Sequence, residues 1–173
     1  MFFPRTKRPP PWVNAVLGVF ERHRNEIDTG NAPHSTSDEV LAILRLDLEQ
    51  VGFKVESGKH QVEKLHRPVL FGEMGAPHVK YEIDAYQEGN KIVLEVEAGR
   101  SIMGNAVFRD IIQMSLMVDA ENAVIAMPQV YRYKSGGKTM TNRAYEDGLG
   151  ILDAVWSSDR LLLPFQGMLL VGY

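Results

Sequence analysis

An α/β fold with a central mixed sheet is predicted by three features of the sequence. Apolar residues recur at helical spacing through 12–27 and again through 37–51. Two segments that alternate with period two, Tyr81–Tyr86 and Lys91–Glu97, flank Gly89-Asn90, a hairpin signal. Ala123-Val124-Ile125-Ala126-Met127, closed by Pro128, has the unbroken apolar character of a buried strand. Helix, strand, hairpin, helix and strand in that order make an α/β layout with a mixed sheet.

The elements follow in order. Four prolines within residues 4–11 remove amide donors and fix φ, so residues 4–11 are expected to be extended and solvated, and residues 1–11 are set apart from the domain as a basic Pro-rich arm. Val13, Val16, Leu17 and Phe20 mark a first helix over 12–27, and residues 29–35 read as a loop. Val40, Ile43, Leu44, Leu48 and Val51 form the stripe of a second helix over 37–51, which Gly52 stops. A short strand is expected at 53–56, another near Pro68–Phe71, and a helix over 105–118 carrying Val107, Ile111 and Leu116. A helix over 143–156 and short strands at 161–163 and 168–171 complete the chain as an extension (128–173) of the same sheet.

At 173 residues the chain suits one domain, residues 12–173, with a core over about 36–127. The absence of cysteine excludes disulfides, thiolate metal sites and a cysteine nucleophile. A net charge of −3 argues against coating nucleic acid by bulk electrostatics but allows a local basic surface. The most apolar stretch, Leu161–Val171, is interrupted by Pro164, Gln166 and Gly167, and a membrane span needs about 20 apolar residues. No secretory signal pattern follows the N-terminus, so a cytoplasmic location without membrane contact is expected.

The chemistry concentrates in the hairpin. Strand alternation puts Glu95 and Glu97 on one face, opposite to Ile92, Leu94 and Val96, and puts Glu82 and Asp84 together on the preceding strand. With a two-residue turn at Gly89-Asn90, paired residues sum to 179, which sets Asp84 opposite Glu95 and Glu82 opposite Glu97. Like charges facing one another across a sheet repel, by up to about 1 kcal/mol per pair, so this face either opens to solvent or collects cations. Oxygen ligands without nearby His or Cys favour Mg²⁺ or Mn²⁺.

Ile83-Asp84, the 11-residue step to Glu95-Val96-Glu97 and the surrounding element order together resemble the PD-(D/E)xK nuclease superfamily. The resemblance covers roughly residues 36–127 and implies a restriction-endonuclease-like αβα fold and a Mg²⁺- or Mn²⁺-dependent endonuclease acting on DNA. It implies Asp84 and Glu95 as metal-binding catalytic acids, Glu97 at the third catalytic position, and Glu39 as an additional acid from the preceding helix. Two residues depart from the pattern: Ile83 replaces Pro, and Glu97 replaces the usual Lys. Some superfamily members with Glu there cleave, whereas inactive members have also lost the Lys. A catalytically inactive relative that binds DNA or protein is therefore the alternative, and an exposed acidic hairpin without ligands is a third reading. Glu39 also completes a capping box with Thr36, a competing role.

Positive charge is sought at Arg100, three residues beyond Glu97, and in the loop holding Arg132, Lys134 and Lys138 among Tyr131 and Tyr133. Cations interleaved with aromatics suit phosphates and unstacked bases. Ser135–Thr139 ends like a phosphate-binding loop but lacks the preceding glycine and the strand-loop-helix context. Little chain lies outside the core for a recognition domain, so sequence-specific cutting would need a homodimer or a partner.

Overall fold

The computed structural model describes residues 1–28, 36–58, 60, 63–98, 105–158 and 160–173. The helices are α1 (Pro11–Arg22), α2 (Arg24–Ile27), α3 (Ser37–Gln50), α4 (Ala106–Ser115) and α5 (Ala144–Ser157). The strands are β1 (Phe2–Phe3), β2 (Phe53–Val55), β3 (Leu65–Phe71), β4 (Pro77–Ile83) and β5 (Ala85–Gln87), followed by β6 (Ile92–Val96), β7 (Asn122–Met127), β8 (Tyr131–Ser135), β9 (Lys138–Asn142) and β10 (Gly167–Gly172). A six-stranded mixed sheet runs in the order β1-β10-β7-β6-β5-β2, and β3–β4 and β8–β9 form separate two-stranded ladders. β6, β7 and β10 are parallel to one another; the other pairings in the sheet are antiparallel.

Helices cover both faces, which explains why the central strands read as unbroken apolar runs. Leu94, Val124, Ala126, Leu169 and Val171 pack with the stripes of α1 and α3, including Val16, Phe20, Leu44 and Leu48. Val93, Ile125, Met127 and Leu170 pack on the other side with Val107, Ile111 and Met114 of α4 and Leu152 of α5. Pro11 opens α1 at a position where a missing amide costs nothing. Thr36 and Glu39 cap α3 reciprocally, and Gly52 at φ 91° turns the chain into β2. Among the described residues no helix is long and apolar enough to cross a membrane.

Several expectations are corrected. Phe2 and Phe3, ahead of the prolines, are buried and pair with β10. The first helix is broken at His23, whose ring bonds Glu26 at 3.0 Å and Asp47 at 2.8 Å. No strand forms at 161–163, and α4 stops at Ser115. The hairpin turn has four residues, 88–91, yet Ala85↔Leu94, Tyr86↔Val93 and Gln87↔Ile92 keep the sum of 179, because the longer turn opens symmetrically about the same centre.

The larger difference is at Asp84. The segment 81–86 is not one strand: β4 pairs with β3, and after a bend at Asp84 the chain joins the central sheet as β5. Glu82 therefore lies opposite His66, with its carboxylate 3.7 Å from the imidazole, and not opposite Glu97.

Candidate active site

The bend at Asp84 creates the site. A continued β5–β6 ladder would place Ile83 opposite Val96; because β4 departs, the Val96 amide is left without that partner. The Asp84 carboxylate replaces it, Oδ2 accepting from Val96 N–H at 2.6 Å. Glu95 sits on the α4 side of β6, the face that also carries Val93. Glu56, Lys64, Glu82, Asp84, Glu95, Arg109 and Asp110 line a polar cleft of about 260 Å³.

Asp110 comes from α4. It occupies a helical-period position beside Val107, Ile111 and Met114, so its side chain is carried inward with theirs and is only 3% exposed. Its Oδ1 accepts from Arg109 Nε at 3.0 Å and Nη2 at 2.9 Å, while its Oδ2 is buried with no partner. Arg109 Nη2 also lies 3.4 Å from Glu97 Oε1. Glu97 is fixed through its backbone: its N–H donates to Ala126 O at 2.8 Å, and Tyr173 Oη donates to its carbonyl at 2.7 Å.

On the far side, Lys64 Nζ bonds both carboxylate oxygens of Glu56 at 3.0 Å. The Glu56 N–H donates to Asp84 O at 2.9 Å, which ties this pair to the bend. The Lys64 ammonium is held above its usual range: Glu56 bonds and attracts it, which outweighs the opposing effect of burial.

Crowded, buried carboxylates resist ionisation. Burial, assisted by Glu56 and opposed by the Val96 amide, pushes Asp84 up to about 7. Burial and then Asp84 and Asp110 raise Glu95 well above the ordinary carboxylate range. Burial, followed by the hydrogen bond with Asp110, pushes Glu97 up to about 8. Between the ordinary values of 3.8 and 4.5 and these raised values, the folded state binds protons that the unfolded chain has released. Stability is therefore expected to be complete below about pH 4 and to fall as pH rises through 7 to 8, a trend that melting curves across this range would check.

The structure brings Asp84, Glu95 and Glu97 into one region, with Glu82 at the cleft's edge beside His66. It does not bring Glu39 there: both of its expected roles compete for one carboxylate, and Oε2 accepts from Thr36 N–H at 2.7 Å as the helix cap. Arg132 lies elsewhere, in a pocket with α1 residues and Tyr173, and Lys138 opens β9. Lys134 falls in β8, and Arg100 lies outside the described residues. Asp110, Glu56 and Lys64 were not expected. Only Asp110 left a local trace, as an acid in an otherwise apolar helical stripe; the Glu56–Lys64 pair has no periodic signature in the sequence.

Among the described residues no three His, Asp or Glu side chains stand close enough together to hold a metal ion as placed. The donor chemistry nevertheless fits a hard divalent cation: every acid here offers oxygen, and Asp110, paired with Arg109 through Oδ1, leaves Oδ2 buried without a hydrogen-bond donor. Comparison of the chain with family models, with curated proteins and with solved structures returns no match.

Proposed function

We propose that this protein is a metal-dependent nuclease that hydrolyses phosphodiester bonds in DNA, with a restriction-endonuclease-like core formed by α3, β2, β5, β6, α4 and β7. The observation that carries the reading is that Asp84 and Glu95 of the bent hairpin and Asp110 of α4 line one cleft, in which Asp110 Oδ2 is buried without a hydrogen-bond donor. Within the central sheet, and leaving out the inserted β3–β4 ladder, the order helix, three antiparallel strands, helix, parallel strand supports it, since the motif resemblance implied that order.

Asp84, Glu95 and Asp110 would hold Mg²⁺ or Mn²⁺, and Glu82 is left to the edge of the cleft. When bound, such an ion lowers the pKa of coordinated water and offsets charge on phosphoryl oxygen. The protein's own groups do the rest. The Val96 amide fixes one oxygen of Asp84, so the other faces its neighbours. Glu97 can take a proton from the attacking water only when its raised carboxyl is ionised, which a cation bound beside it would favour. Arg109 links Glu97 to Asp110 and sets the carboxyl orientation. DNA phosphates would be met by Arg132 and Lys138, with Tyr131 and Tyr133, stacked with centroids 5.9 Å apart, available to bases.

A nicking assay with purified protein, supercoiled DNA and Mg²⁺ or Mn²⁺ tests the reading. Cleavage that is lost on adding chelator and absent in Asp84→Ala is the expected result; no cleavage by the wild type with either ion contradicts it. One observation favours the second reading, a non-catalytic DNA- or protein-binding module: Glu97 stands where positive charge is usual. DNA binding that survives Asp84→Ala, with no cleavage by the wild type, would establish that reading instead.

A further inference from the structure

A second cavity lies across the sheet from the carboxylate cleft, between α1 and the carboxyl ends of the parallel strands β7 and β10. Ligands of open α/β sheets bind at such strand ends. Its volume is about 630 Å³, inside the range of roughly 300–1,000 Å³ usual for small-molecule pockets. The wall is apolar and aromatic: Phe20 and Tyr173, whose rings stack with centroids 6.4 Å apart, stand there with Leu17 and Val171. Gly18 is an independent observation. It stands inside α1, where glycine weakens a helix, and a Cβ there would meet only the end of the Arg22 side chain, at 3.8 Å. Packing within the chain does not call for glycine here; the cavity does, because Gly18 lines it and a larger side chain would fill it.

We infer that this cavity binds a single nucleotide, with the base against Phe20 and Tyr173 and the 5′-phosphate on Arg132. The charges on its rim select that chemistry. Arg24 lies 3.6 Å from Glu21, and Asp28 has a contact of its own, so these three are already engaged. Arg132 of β8 is exposed and in no ion pair among the described residues, and its guanidinium fork matches a phosphate. The side-chain amide of Gln129, on the same rim, can donate to and accept from a base edge. Aromatic walls take bases of any identity. Tyr173 belongs to both sites, since its ring walls the cavity while its Oη donates to the Glu97 carbonyl at 2.7 Å. The inference shares Arg132 with the DNA contact proposed above but requires no hydrolysis in the cleft.

Calorimetric titration of the full chain with deoxyadenosine 5′-monophosphate in excess chelator tests the inference; with metal removed, the result stands apart from that of the nicking assay. Saturable binding is expected, weaker by roughly tenfold or more for deoxyadenosine, which lacks the phosphate, and for Arg132→Gln. Gly18→Leu should lose binding while melting no lower than the wild type, because leucine adds helix propensity and the cavity has room for it. Arg132→Gln, at an exposed position, serves as the second variant. Displacement of the mononucleotide by a short single-stranded oligonucleotide would assign the site to a nucleotide within a strand, and its absence to a free nucleotide. No saturable binding by the wild type, equal affinity for deoxyadenosine, or a folded variant that binds as the wild type does overturns the inference.

Discussion

Asp84→Asn is expected to make the protein more stable at pH 8 and to abolish the hydrolytic activity proposed for it. The two effects have one origin. Asp84 is buried in a cleft with Glu95 and its carboxyl is pushed up to about 7, so at pH 8 the folded state holds a charge that it would otherwise shed. Asparagine keeps the shape and the oxygen that accepts the Val96 amide while removing the charge. Relief on the order of 1–3 kcal/mol follows at pH 8 and vanishes near pH 4, where the wild-type carboxyl is already neutral. The cost is chemical: an amide is a poor ligand for a divalent cation, and the loss in rate should reach roughly 100-fold or more. Melting curves of both proteins at the two pH values, paired with the nicking assay, would show the crossing of stability and function. An unchanged or lower melting temperature at pH 8 would mean that Asp84 is not strained in the folded state.

Lys64→Ala should act in the opposite direction and destabilise the fold by about 2–4 kcal/mol, because it leaves a buried acid without its counter-charge. Glu56 is 6% exposed and both of its oxygens accept from Lys64, whose own side chain is 19% exposed. The Glu56 amide holds the Asp84 carbonyl, so loosening this pair also loosens the bend that forms the cleft. Glu56→Gln combined with Lys64→Ala should recover much of the lost stability, since the stranded charge and not the missing contact dominates the cost. Denaturant titration of the single and double variants checks this; a double variant no better than Lys64→Ala alone would assign Lys64 a packing role instead.

Much of the scaffold could be read from local patterns. The apolar stripes of α1, α3 and α4 follow directly from 3.6-residue spacing, and the capping box of Thr36 and Glu39 marks the start of α3 within a few residues. The β5–β6 register was legible because it depends on the turn's centre and not on its length. The departure of β4 was not: alternation runs unbroken from Tyr81 to Tyr86, and nothing local reveals that β3 captures its first half. That one event moved Glu82 from the expected carboxylate face to a partnership with His66. The inward direction of Asp110 follows from its helical spacing with Val107, Ile111 and Met114, but its place beside Asp84 and Glu95, and the pairing of Glu56 with Lys64, depend on tertiary packing that spacing along the chain does not encode.

The most direct test of the central claim is calorimetric titration of the wild-type protein with Mn²⁺ at pH 8 in buffers of different ionisation enthalpy. Glu97, pushed up to about 8 by burial, still holds protons at this pH, so a cation that binds among these carboxylates must expel protons into the buffer. The account predicts saturable binding whose apparent enthalpy depends on the buffer, lost in Asp84→Asn. Absence of binding, or binding with the same enthalpy in every buffer and unaffected by Asp84→Asn, would contradict it.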